Sequence, residues 1–593
     1  MSVVTSGFRV VSSPPSLKTP EVALGFGVSL IAPLYFGLVS YFHGASGPII
    51  QDDARLHIVW LQRLVDSALF PDDLIANYYA AIQPAGFKAL YGMASVLGID
   101  PLGLAKIAPI GLALIATIYL FWVSLLLLPA PLSGVLTTLV FNQNVWLKDD
   151  LISATPRAFV YPIFAAFLYY LLRGSRVSCL IALGLQGLFY PQMMLVSVGV
   201  LTLRLLSRHR MSRDSSLRDR EGNSRFGRRF SPVLFWLAAL CLTGLVLLTF
   251  SGQVADQVGR LVTLEEMKAM PEFQVDGRRP YFGVSPLQFI FGGASGLRFP
   301  LFPPVILAGG LLPFIKRRTE FTLASQLTQD VDILKHLLMS AMGLFLLAHL
   351  VFPTLYLPSR FTFYSFRFLL AIASGLVLTL VVHRVWGWLD KRRRTVIRWT
   401  LQDRLKVAFA GLLAMCVVIT PAVPALFLPC QGWVRGQAPG IYAMLADSPK
   451  DTLVASLTDE ANNAPAFSQR SVLLGEEFAL PYHVNFYASM TQRMKDMVQA
   501  QYSARLDSVQ AFIQTYGVDV WIVDQQFAEP NYLIQQKWLL NSSIRDTVTD
   551  VLHSLQQGTQ PALTGALPPC STFTENQLIV LDAHCISRLE PES

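Results

Sequence analysis

The sequence runs apolar, with almost no Asp, Glu or Lys, at 22–42, 104–128, 132–147, 156–172, 179–206, 233–250, 301–315, 337–355, 363–382 and 407–428. No other feature constrains the chain as strongly. A helix needs about 20 apolar residues to cross the hydrocarbon core, and fewer where neighbours shelter its ends. Inside lipid every backbone N–H and C=O must find an internal partner, which leaves helices as the way to bury runs of this length. Hydrophobic residues make up 53% of the 593 positions and charged residues 15%, so a water-soluble shell cannot be assembled around them. The fold class expected is a polytopic α-helical membrane protein.

The formal charge of +8 reads differently once divided by region. From residue 430 onward nine Lys/Arg face seventeen Asp/Glu, a net of −8, so the preceding part carries +16. That excess lies in short loops at 208–229, 316–318 and 384–406. Basic loops between apolar segments mark a cytoplasmic side and give no reason to invoke nucleic acid. The run 179–206 begins and ends among basic residues, so it is expected to split at Phe189-Tyr190-Pro191-Gln192 into two short helices. The count becomes about eleven spans, with the N-terminus cytoplasmic and the C-terminal part extracytoplasmic. No small-residue cleavage site follows a short apolar core near the start, so the first apolar run is expected as a retained span.

Two domains follow: a membrane domain over 1–429, with a first outer loop at 43–102 and a second long outer loop at 251–299, and an α/β domain over 430–593. Within the first loop, 53–69 and 83–97 read as amphipathic pieces able to lie along the interface. The tail alternates strand-like runs at 452–457, 471–474, 518–523 and 578–581 with helical ones. Val509, Phe512, Ile513 and Tyr516 recur at helical spacing, then Gly517 and the apolar run from Val518 predict helix, glycine stop and buried strand. Cys570 and Cys585 flank a strand-like run and are a disulfide candidate in an oxidising compartment; Cys430 is the odd third cysteine of the tail.

The polar residues with chemical reach gather at the expected outer rim. Asp52 and Asp53 follow the first span; one of them can cap a helix beginning at Ala54, or Asp53 can face a cavity where an acceptor loses a proton or a divalent metal is held. Asp149 and Asp150 end the third span, and carboxylates from two loops can bind Mg²⁺ or Mn²⁺ or divide the work of base and electrostatic stabiliser; Asp53 and Asp150 are the candidate metal pair. Arg157 and Arg360 are outer-face cations that either snorkel to the headgroups or grip the phosphate of a lipid carrier. His57 and His349 are weaker candidates. No Gly-x-Gly-x-x-Gly after a strand, P-loop, His-Glu-x-x-His or Cys-x-x-Cys is present.

The layout resembles the GT-C superfamily of integral-membrane glycosyltransferases, which includes oligosaccharyltransferases, protein mannosyltransferases and aminoarabinose transferases. The resemblance rests on the acidic pair Asp52-Asp53 after the first span, the second acidic site Asp149-Asp150 after the third, the late arginine Arg360 and an outer α/β domain. Tyr482-His483, Arg493 and Tyr516-Gly517-Val518-Asp519 in the tail are similar to outer domains of bacterial proteins of this type. The tail lacks the Trp-Trp-Asp motif of N-glycosylating oligosaccharyltransferases. What the resemblance implies is transfer of a sugar from a polyprenyl-phosphate donor to a glycan, lipid or protein acceptor at the outer face of a bacterial plasma membrane. The roles it implies are acceptor activation or metal binding by Asp53, with Asp52 as second choice, a second acid at Asp150 or Asp149, and charge compensation by Arg360. A transporter or scaffold for envelope polysaccharide or lipid assembly is the alternative. A transporter is expected to carry ionisable residues in mid-span, which this sequence nearly lacks.

Overall fold

The computed structural model describes residues 16–213, 231–355, 357–394, 400–401, 404–405, 407–408, 411–412 and 432–590. The linker expected at 208–229, most of the span expected at 407–428, Cys416 and Cys430 lie outside the described residues.

Along the chain, α1 (Pro20–Gly44) leads into strand β1 (Ile49–Gln51) and three loop helices, α2 (Asp52–His57), α3 (Leu74–Ile82) and α4 (Ala85–Val96). Then come α5 (Pro101–Leu127), α6 (Pro131–Val145), the short α7 (Asp149–Ile152), α8 (Val160–Leu172), α9 (Arg176–Phe189), α10 (Gln192–Arg213) and α11 (Pro232–Val258). A helical stretch Pro304–Ile315, α12 (Ile333–Leu350) and α13 (Ser359–Arg394) complete the bundle. Among the described residues five helices are long and apolar enough to cross a membrane by length and composition: Pro20–Gly44, Pro101–Leu127, Pro232–Val258, Gln329–Leu350 and Ser359–Arg392. The break between α9 and α10 falls where Pro191 removes a backbone donor and Tyr190 turns extended (φ −152°).

Helix α13 has 78% of its most apolar window buried inside the protein and α11 has 17%, so α13 is the axis of the bundle and α11 an outer, lipid-facing helix. α6 is the polar partner of that axis. Its Asn142, Gln143 and Asn144 are buried; Asn142 Nδ2 donates to Thr117 Oγ1 (2.9 Å) and Trp146 Nε1 donates to Asn142 Oδ1 (3.2 Å). A buried amide that finds partners is tolerated at a helix–helix contact, and here it ties α5 to α6. Gly375 on α13 leaves no room for a Cβ against Thr137, so the two central helices pack backbone to backbone.

Beyond α13 the described chain resumes with strand β2 (Trp433–Arg435) and α14 (Pro439–Asp447). A five-stranded sheet follows, built from β3 (Leu453–Ser456), β4 (Ser471–Val472), β5 (Val520–Asp524), β6 (Ser571–Glu575) and β7 (Leu578–Asp582) in the order β4-β3-β5-β7-β6. β3 runs parallel to β4 and β5, while β7 is antiparallel to β5 and β6. Helices α15 (Val484–Gln501) and α16 (Leu506–Tyr516) precede β5, and Gly517 ends α16 in the left-handed region (φ 65°) that glycine enters without strain. Cys570 and Cys585 form a disulfide.

One pairing joins the first loop to the start of the tail. β1 pairs antiparallel with β2, Gln51 opposite Trp433, and Asp52 N–H donates to Gly432 O (2.7 Å). Gly432 (φ 65°) lies so close to Asp149 and Gln51 that a Cβ would stand 3.1 Å from each. The entry into the tail is therefore stitched to the segment that opens the first loop.

Candidate functional site

Helix α2 begins from that stitched strand. Its cap is Gln51, whose Oε1 accepts from Ala54 N–H (3.0 Å), and neither aspartate takes that role. Gln is not a preferred cap, but the β1–β2 pairing fixes its extended backbone and lets the longer side chain reach. The two carboxylates then go separate ways. Asp52 accepts from Arg55 Nη2 (2.6 Å), and Arg55, 7% exposed, also donates to Asn463 Oδ1 (2.8 Å) and lies 4.0 Å from Glu477 in the tail. Glu477 in turn pairs with Arg278 of the second long loop. Asp52 thus belongs to a network that fastens both loops to the tail.

Asp53 pairs with Arg157, and the same guanidinium nitrogen stands 3.7 Å from Asp149 Oδ2. Asp53, Arg157 and Asp149 form a partly exposed carboxylate–guanidinium–carboxylate group at one end of the bundle. Arg157, expected as a phosphate ligand, is here the counter-ion of two acids.

Asp150 departs most from expectation. Its carboxylate is fully buried and accepts from Arg367 Nη1 (2.7 Å) and from the Tyr161 hydroxyl, while the Arg367 guanidinium stacks on Phe363, 3.8 Å from the ring centroid. Asp53 and Asp150, expected as a joint metal pair, are each paired with an arginine of their own, Arg157 and Arg367. Among the described residues no three His, Cys, Asp or Glu side chains converge as a metal centre would need. The remaining pair, Asp53 and Asp149, does not fit a resident divalent ion, since Arg157 already supplies their cation.

A basic limb adjoins these acids. Arg360 opens α13, half-buried, with its guanidinium 5.8 Å from the Phe363 ring. Arg298 stands within its electrostatic reach, and Arg360 and Arg279 both act on His57. Burial and those two cations push the His57 imidazole down to about 4, so the ring is neutral near pH 7. Its Nδ1 lies 2.6 Å from Gln83 Nε2. His349 does different work: its Nδ1 meets the Tyr281 hydroxyl (2.8 Å) and its Nε2 meets Ser295 O (3.0 Å), while Tyr281 stacks on Phe352 at 3.9 Å. It pins the second long loop against α12.

Arg367, Arg279 and Arg298 did not stand out in the sequence. Arg367 lies seven residues after Arg360, two helical turns on one face, and that spacing is the signal that identifies it as a second inward arginine.

The fold and site together define a class: a helical bundle with membrane-length apolar helices, carrying at one end a charged centre made from two loops and two helices and covered by an α/β unit. No protein-family model matches the sequence, and no curated protein matches it. Among solved structures the chain is similar to the Archaeoglobus fulgidus oligosaccharyltransferase tethered with an acceptor peptide, at 12% identity and TM-score 0.48 over 90% of this chain and 72% of that chain. It is similar to the A. fulgidus oligosaccharyltransferase AglB in complex with an inhibitory peptide and a dolichol-phosphate, at 15% identity and TM-score 0.28 over 86% of this chain and 61% of that chain. The mycobacterial arabinofuranosyltransferase AftD is a third, at 14% identity and TM-score 0.43; 87% of this chain matches 37% of that much longer one. All of these are GT-C glycosyltransferases. At these identities and TM-scores they are likenesses of the chain and carry nothing about its substrates.

Proposed function

We propose that this chain is a membrane glycosyltransferase that moves a sugar from a polyprenyl-phosphate donor to a glycan, lipid or protein acceptor at the outer face of the plasma membrane. The observation that supports it is the side-by-side placement of an acidic limb (Asp53, Asp149 and their Arg157) and a basic limb (Arg360, Arg298, Arg279) at one end of the bundle. Glycosyl transfer from a lipid phosphate needs both. The acceptor oxygen attacks the anomeric carbon with inversion, the bond from that carbon to the phosphate oxygen breaks, the acceptor proton goes to Asp53, and the charge left on the phosphate is offset by Arg360. Arg157 holds the Asp53 carboxylate at the rim, beside Asp149. Exclusion of water by the surrounding helices strengthens every one of these interactions.

The topology proposed places 430–593 outside the cytoplasm as a separate domain. The disulfide between Cys570 and Cys585 supports an oxidising compartment for it. Lys316, Arg317 and Arg318, followed along α13 by Arg384 and Lys391, support the cytoplasmic assignment of the other end.

The test is the envelope glycan profile, by mass spectrometry, of cells carrying Asp53→Asn at the native locus at wild-type protein level. Loss of one glycan with accumulation of its lipid-linked precursor supports transfer and names the donor. An unchanged profile, where deletion of the whole gene alters it, rejects Asp53 as the base and favours a scaffold or transporter.

A further inference from the structure

The last part of the second long loop does not have the make-up of a segment in water. Between Arg279 and Lys316 the only charged residue is Arg298. The short helix Pro286–Phe291 buries none of its residues: Leu287 is 72% exposed, Ile290 48% and Phe291 55%, and Gln288 is its only polar side chain. Contiguous apolar surface of this kind marks a contact. It is also held in place. Phe289 turns inward, 5.4 Å from the His349 ring and 5.5 Å from Tyr281, so the helix sits against the last turn of α12, where Leu346 and Leu350 are exposed as well. Phe299 meets Phe366 of α13 at 4.9 Å, and from there the exposed apolar side chains continue through Leu301 to Leu307, Leu311 and Phe314 of the stretch Pro304–Ile315.

The backbone gives a second, independent sign. Irregular chain inside a bilayer survives only where its polar groups find partners other than water. Here the carbonyls of Gln288, Phe289, Ile290, Gly292, Gly293 and Ala294 all accept within the protein. Their donors are Gly292 N–H (2.7 Å), Ser295 Oγ (2.9 Å), Leu297 N–H (2.6 Å), Gly296 N–H (2.8 Å), Arg298 Nη2 (2.9 Å) and Ser359 N–H of α13 (3.1 Å). The turn thus closes its carbonyls on itself and on α13 while it points apolar side chains outward.

We propose that residues 286–301 lie in the outer leaflet of the bilayer, with Leu287, Ile290 and Phe291 among the acyl chains and Arg298 at the level of the lipid phosphates. The occupant is lipid because the surface runs on into α12, a helix of membrane length, and because the one cation at its border stands where a leaflet presents anions. The inference goes beyond the transfer reaction. It concerns where the loop sits, and holds for any donor or acceptor.

The experiment is spin-label power saturation on the full-length protein in phosphatidylcholine nanodiscs. Cys179, Cys241, Cys416 and Cys430 are replaced by Ser, the Cys570–Cys585 disulfide is kept, and a nitroxide is attached at Ile290→Cys. Leu287→Cys gives the same reading from a second exposed position and decides the matter if the first variant does not fold. Leu248→Cys on the lipid-facing α11 is the reference for hydrocarbon, and Arg505→Cys in the tail is the reference for water. Collisions with oxygen are expected to outweigh those with a neutral nickel chelate, as at Leu248, and to place the label about 5–10 Å below the phosphates. Dominant access of the nickel chelate at either position, as at Arg505, overturns the inference and puts the segment in water. Labels that neither reagent reaches also overturn it, because a second copy of the chain or another protein then covers the surface in place of lipid.

Discussion

Asp53–Arg157 and Asp150–Arg367 are the same chemistry in two settings. The first pair keeps 18% and 16% of its side-chain surface open at the rim; the second keeps none and 2%. An ion pair that solvent reaches can trade its partner for a substrate at low cost, and contributes at most about 1 kcal/mol to stability. A pair walled in by Tyr161 and Phe363 has nothing to trade with, and losing one member strands a charge in a dry interior. What distinguishes a working carboxylate from a structural one here is access, since both acids sit in the first turn of a short helix and both hold an arginine.

The contrast can be broken at four points. Asp150→Ala is expected to do the most damage, costing about 3–5 kcal/mol by leaving Arg367 uncompensated, measured as a lowered melting temperature of the detergent-purified protein; Asp150→Leu combined with Arg367→Met should recover most of it. Wild-type melting of the single variant would show that the pair is not structural. Asp53→Asn reverses the pattern: stability within about 1 kcal/mol of wild type but product glycan down by about 10²–10⁴-fold. For Arg360→Gln the expected loss is about 10²-fold in transfer, the scale of one donor to a developing anion, with Arg360→Lys recovering part; equal rates for all three proteins would remove Arg360 from the leaving-group site. Asp52→Asn is the smallest, within about 1 kcal/mol in stability and unchanged in transfer, because Arg55 keeps Asn463 and Glu477. Chelation sharpens the comparison from another side: with Arg157 as the cation of the rim, excess EDTA is expected to leave the wild-type glycan product unchanged in purified membranes, and a loss restored by Mn²⁺ would show that Arg157 yields its place.

Much of the helical layout was legible because hydropathy acts over whole segments. The break at Tyr190-Pro191 followed from charge parity at the two ends of one apolar run. The passage from α16 through Gly517 to β5, and the pairing of Cys570 with Cys585, were legible from local pattern. The site was legible only in outline. Asp53, Asp149 and Arg157 do meet, but nothing local says that Asp150, next to Asp149 in sequence, turns inward; that depends on Arg367 more than two hundred residues away. The cap at Gln51 escaped for the same reason, since its backbone is set by Trp433 across β1–β2. Short-range rules reach the first turn of a helix, and the partners that decide these side chains lie in other elements.

The β1–β2 pairing also sets an order of events during synthesis. Gln51–His57 leaves the ribosome early, whereas Gly432 and Trp433, which complete its strand and abut its acids, leave only after every helix of the bundle. The charged centre thus closes only after the bundle has been made, and a polypeptide released before that point holds an open strand edge at Ile49–Gln51.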